Sequence, residues 1–324
     1  MTPVFWPLPL GWSDPTAASP RAVNTANSAP GMPDAVRNTA RVVLAGRLYE
    51  IQRDWGRAPV EAGPVRVSQV AVDKTERLHV LRRAKTPVVV LAPDGQFLFS
   101  YGEGRIFDPH GVSIDHLDRV WIVDRDAHQV LCFSSAGEFL LSLGERHAPR
   151  WRAPFNHPTK VAVAADGEIY VSDGYGNACI HRFASDGGHL ASFGEIGHRP
   201  GAFMTPHSLL IDHDDRVIVC DRENDRVQVF SRDGVWLATW DGLSRPMDMF
   251  EQDDGTVLVT DRVPSLTCFA PNGDRLGRCR PSLNGAHGIA GDRHGNLYLA
   301  ETEPTSVTRM RLLADHGQPR LTDP

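Results

Sequence analysis

The 324-residue chain has no CxxC motif, no basic stripe and no apolar run long enough to span a bilayer, and each absence removes a class of function. Its five cysteines (Cys132, Cys179, Cys220, Cys268 and Cys279) leave one unpaired under any disulfide scheme. Most fall inside predicted strands, where a thiol serves as a small buried hydrophobe. That usage points to a reducing, cytoplasmic setting. A net charge of −6 without clustered Lys and Arg offers no electrostatic footprint for nucleic acid. The opening MTPVFWPLPLGW is broken by prolines and lacks a basic region ahead of an apolar core, so it does not read as a secretory signal. No nucleic-acid partner and no membrane partner is expected.

What is present is periodic. An apolar alternation recurs as VSQVAVD (67–73), PHGVSID (109–115), PTKVAVA (158–164), PHSLLID (206–212), PMDMFEQ (246–252) and AHGIAGD (286–292). A second strand follows each copy, as in VWIVDR (120–125), IYVSDG (169–174) and VIVCDR (217–222), and in most copies it ends on Asp. Then come a third strand such as VLCF or VQVF, a Gly-containing turn, and a fourth strand closing on Gly, as in LLSLGE. Four strands per unit of roughly 40–50 residues predicts an all-β, six-bladed β-propeller of four-stranded antiparallel blades. The units begin near residues 67, 109, 157, 205, 245 and 285. The last unit has only three clear strands, so RLYEIQRDW (47–55) is expected to supply the missing outer strand and close the ring. Residues 1–45 read as a largely irregular extension, 46–314 as the propeller and 315–324 as a polar tail. The extension is a candidate arm for a homo-oligomer.

The first strands carry the functional signal. His110, His207 and His287 occupy one register of the repeat, and the intervening units place Ser68, Thr159 and Met247 there. A single histidine at a strand start is more often structural than a ligand. In a ring, however, alternate blades bring three imidazoles to one axis, the ligand set of an open catalytic metal site. Antiparallel strands put the loops after the six second strands at the same end. Those loops carry Arg83, Arg125, Tyr175, Arg222 and Arg262. A repeated Asp-Arg pair also has a purely structural use, tying neighbouring blades, and Arg125 and Arg262 are read that way. His128, His157 and His198 lie at this end without a repeated register.

The stretches DPHGVSIDHLDRVWIVDRDAHQVLCF (108–133), HPTKVAVAADGEIYVSDGYGNACIHRF (157–183) and PHSLLIDHDDRVIVCDRENDRVQVF (206–230) closely resemble the peptidyl-α-hydroxyglycine α-amidating lyase family, within the NHL-repeat propellers. The resemblance spans roughly residues 47–312. It implies zinc, or another divalent transition metal, on His110, His207 and His287. It also implies a catalytic tyrosine at Tyr175 and active-site arginines at Arg222 and Arg83, with Arg82 adjacent to the last. The family's final histidine motif resembles Met-Pro-His-Asp, whereas this chain has Gly285-Ala286-His287-Gly288, which puts the family's structural calcium in doubt. The family's disulfide positions hold Asn156, Gly176, Ile218 and Val229.

The chemistry so implied is cleavage of a carbinolamide, R-CO-NH-CH(OH)-COOH, to an amide and glyoxylate. Tyr175 would act as general base on a metal-bound hydroxyl, and the arginines would hold the carboxylate of a small-molecule substrate. The same three ligands would equally serve a hydrolase, a lactonase or another lyase. A non-catalytic NHL interaction module is the third reading, and it would hold no metal.

Overall fold

The computed structural model describes residues 40–59, 65–303 and 305–315. Most of the extension and tail expected from sequence, including the arm, lie outside the described residues. The chain enters through β1 (Arg41–Leu44) and β2 (Arg47–Gln52). The first blade is β3 (Arg66–Val72), β4 (Leu78–Arg83), β5 (Val88–Leu91) and β6 (Phe97–Tyr101). The second is β7 (Pro109–Ile114), β8 (Val120–Asp124), β9 (Gln129–Phe133) and β10 (Phe139–Leu143). The third is β11 (Lys160–Val163), β12 (Ile169–Asp173), β13 (Cys179–Phe183) and β14 (His189–Phe193). The fourth is β15 (Pro206–Ile211), β16 (Val217–Asp221), β17 (Arg226–Phe230) and β18 (Trp236–Trp240). The fifth is β19 (Pro246–Glu251), β20 (Val257–Asp261), β21 (Leu266–Phe269) and β22 (Arg275–Cys279). The sixth begins with β23 (Ala286–Gly291), β24 (Leu297–Thr302) and β25 (Thr305–Asp315). This all-β, six-bladed propeller has one short 3₁₀ turn, Arg222–Asn224, among the described residues.

Five blades are four-stranded antiparallel sheets in chain order. The sixth sheet runs β23-β24-β25-β2-β1 and has five strands, with β2 antiparallel to β25. The second strand of most blades is buried at every position, while fourth strands such as β14 are mostly exposed. Alternating side chains of adjacent sheets therefore meet in six interblade cores. One joins Trp121 and Val123 of the second blade to Val161 and Val171 of the third. Another joins Ala290 and Tyr298 of the sixth to Val70 and Leu78 of the first, so the ring has no open seam.

The acidic residue at the end of most second strands has a structural task, and the first blade has Arg82 at that register. Asp124 accepts from the backbone N–H of Phe107 and Asp108 at 2.8 and 2.7 Å, Asp173 from Asn156 at 2.8 Å, and Asp221 from Met204 at 2.9 Å. Glu301 does the same for Leu283 at 3.0 Å. Each ties down the loop leading into its own blade, which accounts for the repetition. In the third blade Asp173 also meets His181 Nε2 at 3.1 Å, and His181 Nδ1 meets Ser192 Oγ at 2.6 Å. Gln228 donates to Asp221 along the same route in the fourth blade, so this Asp-His-Ser chain is a blade staple rather than a triad.

Tyr49 and Ile51 of β2 are 1% and 5% exposed, in the core shared with Leu258, Leu266 and Met310. Tyr49→Ala is expected to lower stability by about 3–5 kcal/mol, the usual loss for emptying a buried aromatic site. A chain starting at Gly56, which also bares the edge of β25, is expected to be insoluble or to lose cooperative unfolding. Thermal and denaturant unfolding check both, and a wild-type transition in the truncated protein would contradict this account.

Candidate metal centre

The first strand of each blade lines the axis, and in five of the six one residue near its start lies outside the regular ladder. In β7 the register runs from Pro109 opposite Asp124 to Gly111 opposite Val123, skipping His110. The same slip skips His207 in β15, His287 in β23, Ser68 in β3 and Met247 in β19. Thr159 holds the equivalent place just ahead of β11. A bulged residue has backbone groups free of the ladder and a re-aimed side chain. Here both consequences are used. His110 Nδ1 donates to the carbonyl of Thr159 at 2.8 Å, His207 Nδ1 to Met247 at 2.7 Å, and His287 Nδ1 to Ser68 at 2.7 Å.

Each imidazole is thus held by the bulge carbonyl of the next blade. With the proton on Nδ1, the lone pair of each ring lies on Nε2. The three ring centroids form an equilateral triangle of side 4.9 Å. One ligand nitrogen from each falls within 4.8 Å of the others. His110 and His207 are 1% and 2% exposed, and His287 is partly buried. Burial, then the neighbouring imidazoles, push the His110 and His207 pKa values well below the usual histidine range. Burial lowers His287 to about 4. Three neutral imidazoles sharing one tautomer are the donor set that a borderline divalent metal requires, so these residues fit such an ion.

Tyr175 stands over the triangle. Its Oη lies 3.1 Å from His110 Nε2 and 3.1 Å from His207 Nε2, and it accepts from Arg222 at 3.1 Å. The loop reaches this place because Gly174 lies against the Pro206 carbonyl of β15, where a Cβ would overlap it. Arg222 is held in turn by Glu223, which also pairs with Arg245. Arg83 reaches Asp108 at 3.0 Å, not Tyr175, while Arg82 turns away to the carbonyls of Pro59 and Thr86.

Arg125, read from sequence as a structural tie, also belongs to this mouth. It pairs with Asp108 at 2.6 Å, and its guanidinium lies 5.6 Å from the Tyr175 ring centroid. The signal was available, because Arg83, Arg125 and Arg222 share the first position after the acidic register of the second strand. Arg262 holds that position too but is exposed. His128 is buried and accepts from the backbone of His157, and His198 is exposed and bonded to Asn224.

NHL repeats match residues 155–183 and 203–230. Over 179 residues the chain is 30% identical to the probable peptidyl-α-hydroxyglycine α-amidating lyase pgal-1 of Caenorhabditis elegans, covering 50% of this chain and 51% of that protein. It is 31% identical to human NHL repeat-containing protein 3 over 172 residues, 52% of this chain and 44% of the relative. The matched region thus spans about half the length of these curated relatives. A gluconolactonase of Xanthomonas campestris superposes with a TM-score of 0.66 at 16% identity, covering 86% of this chain and 96% of that structure, which shows a shared propeller fold. The chain is a six-bladed propeller that contains NHL repeats in its third and fourth blades and is similar, over about half its length, to an amidating lyase.

Because the folded pKa values of these histidines lie below the unfolded value near 6.5, the unfolded chain binds more protons between about pH 6.5 and 4. Stability of the chelator-treated protein is therefore expected to fall as pH falls through that window. Denaturant midpoints between pH 6.5 and 5, above most carboxylate titrations, check this. His287→Gln should flatten the slope, and an equal slope in wild type and variant would contradict the assignment.

Proposed function

We propose that this protein is a metal-dependent lyase that cleaves the C–N bond of an N-substituted α-hydroxyglycine, releasing an amide and glyoxylate. Support comes from the homology to amidating lyases and, above all, from one contact: a single phenol oxygen shared by two imidazoles and a guanidinium. A zinc or other divalent transition ion on His110, His207 and His287 would supply Lewis-acid polarisation of the substrate hydroxyl.

The chain's own groups account for the rest. Tyr175 Oη, beside the imidazoles, relays a proton: it passes its own to the departing amide nitrogen, which keeps the C–N electron pair, and accepts the substrate hydroxyl proton as that O–H pair becomes the aldehyde C=O. Atoms and charge balance, and no further reagent is consumed. Arg222 keeps the phenol oxygen in place through its hydrogen bond. Arg222 and Arg125 carry their guanidinium groups within 5.2 and 5.6 Å of the Tyr175 ring centroid, where their positive charge would attract a substrate carboxylate. Arg83, tied to the same Asp108 as Arg125, adds positive charge to that side.

Tyr175→Phe is expected to lower glyoxylate release from N-benzoyl-α-hydroxyglycine by about 100-fold or more, the usual contribution of a positioned proton-transfer group. The assay is run beside ester and lactone substrates. Turnover of lactones or esters alone would replace this reading with that of a hydrolase on the same ring. Wild-type glyoxylate release by the Phe variant would remove the phenol from the chemistry.

A further inference from the structure

One residue beyond the histidine register, a second polar layer crosses the axis. In the blades without histidine that residue is large and polar, namely Gln69, Lys160 and Asp248, and in the histidine blades it is Gly111, Ser208 and Gly288. The two sets interlock. A Cβ on Gly288 would overlap the Gln69 amide, and one on Gly111 would meet the Thr159 carbonyl and Lys160. Asp248 is the hub: Oδ1 accepts from Lys160 Nζ at 3.0 Å and from Ser208 Oγ at 2.6 Å. Its Oδ2 accepts from Gln69 Nε2 at 2.8 Å and from the Ile289 backbone at 3.0 Å. Asp248 is fully buried, and Gln69 and Lys160 are 2% and 7% exposed.

These residues have a telling place in the chain. Gln69 follows Ser68, Lys160 follows Thr159 and Asp248 follows Met247, and Ser68, Thr159 and Met247 are the residues whose carbonyls hold the imidazoles. We propose that the Gln69–Asp248–Lys160 network is a positioning device that ties together the three carbonyl-bearing blades and so fixes the tautomer and aim of His110, His207 and His287. The proposal rests on those imidazoles being the working centre assigned above. Lys160 is one of three lysines in the chain, and Lys74 and Lys85 are exposed. A compact ammonium suits a narrow axis that a planar guanidinium would overfill. A buried pair missing one partner is strongly disfavoured, so the three blades are held in a single register. Lys160 also lines a cavity of about 260 Å³ further along the axis, beside Val72, Ile114 and Ile211, so the network separates the histidines from that cavity.

The test uses the full chain with Asp248→Asn and the milder Gln69→Leu, which cuts one tie and keeps the ion pair should the first variant fail to fold. Ring ¹⁵N spectra of the metal-free, histidine-labelled protein report the tautomer directly. Wild type is expected to show the axial rings protonated on Nδ1. In Gln69→Leu, the resonance that disappears on His287→Gln should move toward tautomer averaging. Cobalt(II) titration should show affinity lowered about 10–100-fold with an altered ligand-field spectrum, as for other groups that orient ligands. Variants that merely melt earlier, with wild-type ring shifts and wild-type cobalt affinity, would overturn the proposal. A wild type that binds no cobalt would count against the metal reading alone, because the ring spectra still decide whether the network sets the tautomer.

Discussion

The centre depends on the bulge near the start of the axial strands, at Ser68, His110, His207, Met247 and His287. A regular ladder would commit that residue's carbonyl to its own sheet and leave an imidazole arriving from the neighbouring blade without an acceptor. With the bulge, each blade offers one carbonyl and one side chain at the same level. An even number of blades then allows alternation: three blades give side chains, three give acceptors, and every Nδ1–H is satisfied without a carboxylate. The spacing between blades is set by the six interblade cores, so packing far from the axis fixes the 4.9 Å triangle at its centre.

Electrostatics follows from that arrangement. Carbonyl acceptors orient the rings without adding negative charge, and burial keeps all three imidazoles neutral, a state able to bind a cation. Around them the mouth is rich in guanidinium groups held by Asp108 and Glu223, a suitable surround for an anionic substrate. At Gly288 the Gln69 amide occupies the space a Cβ would need.

Much of this was legible in the sequence, for a physical reason. Propeller repeats hold register strictly, because one slipped residue would turn a core strand inside out. His110, His207 and His287 could therefore be placed at one axis from PHGVSID, PHSLLID and AHGIAGD alone. Tyr175 could be placed at the same end by strand parity. Less was legible where a role depends on contacts between blades. Arg125 reads as a repeated Asp-Arg pair until its distance to Tyr175 is known. Thr159 and Met247 serve through backbone atoms, which side-chain identity does not report. The Lys160–Asp248 pair joins residues 88 positions apart and leaves no local pattern. The fifth strand of the last sheet, Arg41–Leu44, sits in a stretch whose composition reads as an irregular extension.

Whether alternate blades build one metal centre is decided by the metal content of the purified chain beside His110→Ala. About one equivalent of zinc or another divalent transition metal is expected in the wild type, with loss of that ion in a variant that keeps its fold. Wild-type protein that holds no stoichiometric metal after reconstitution would contradict it, leaving the three histidines as interblade hydrogen-bond donors on a binding propeller.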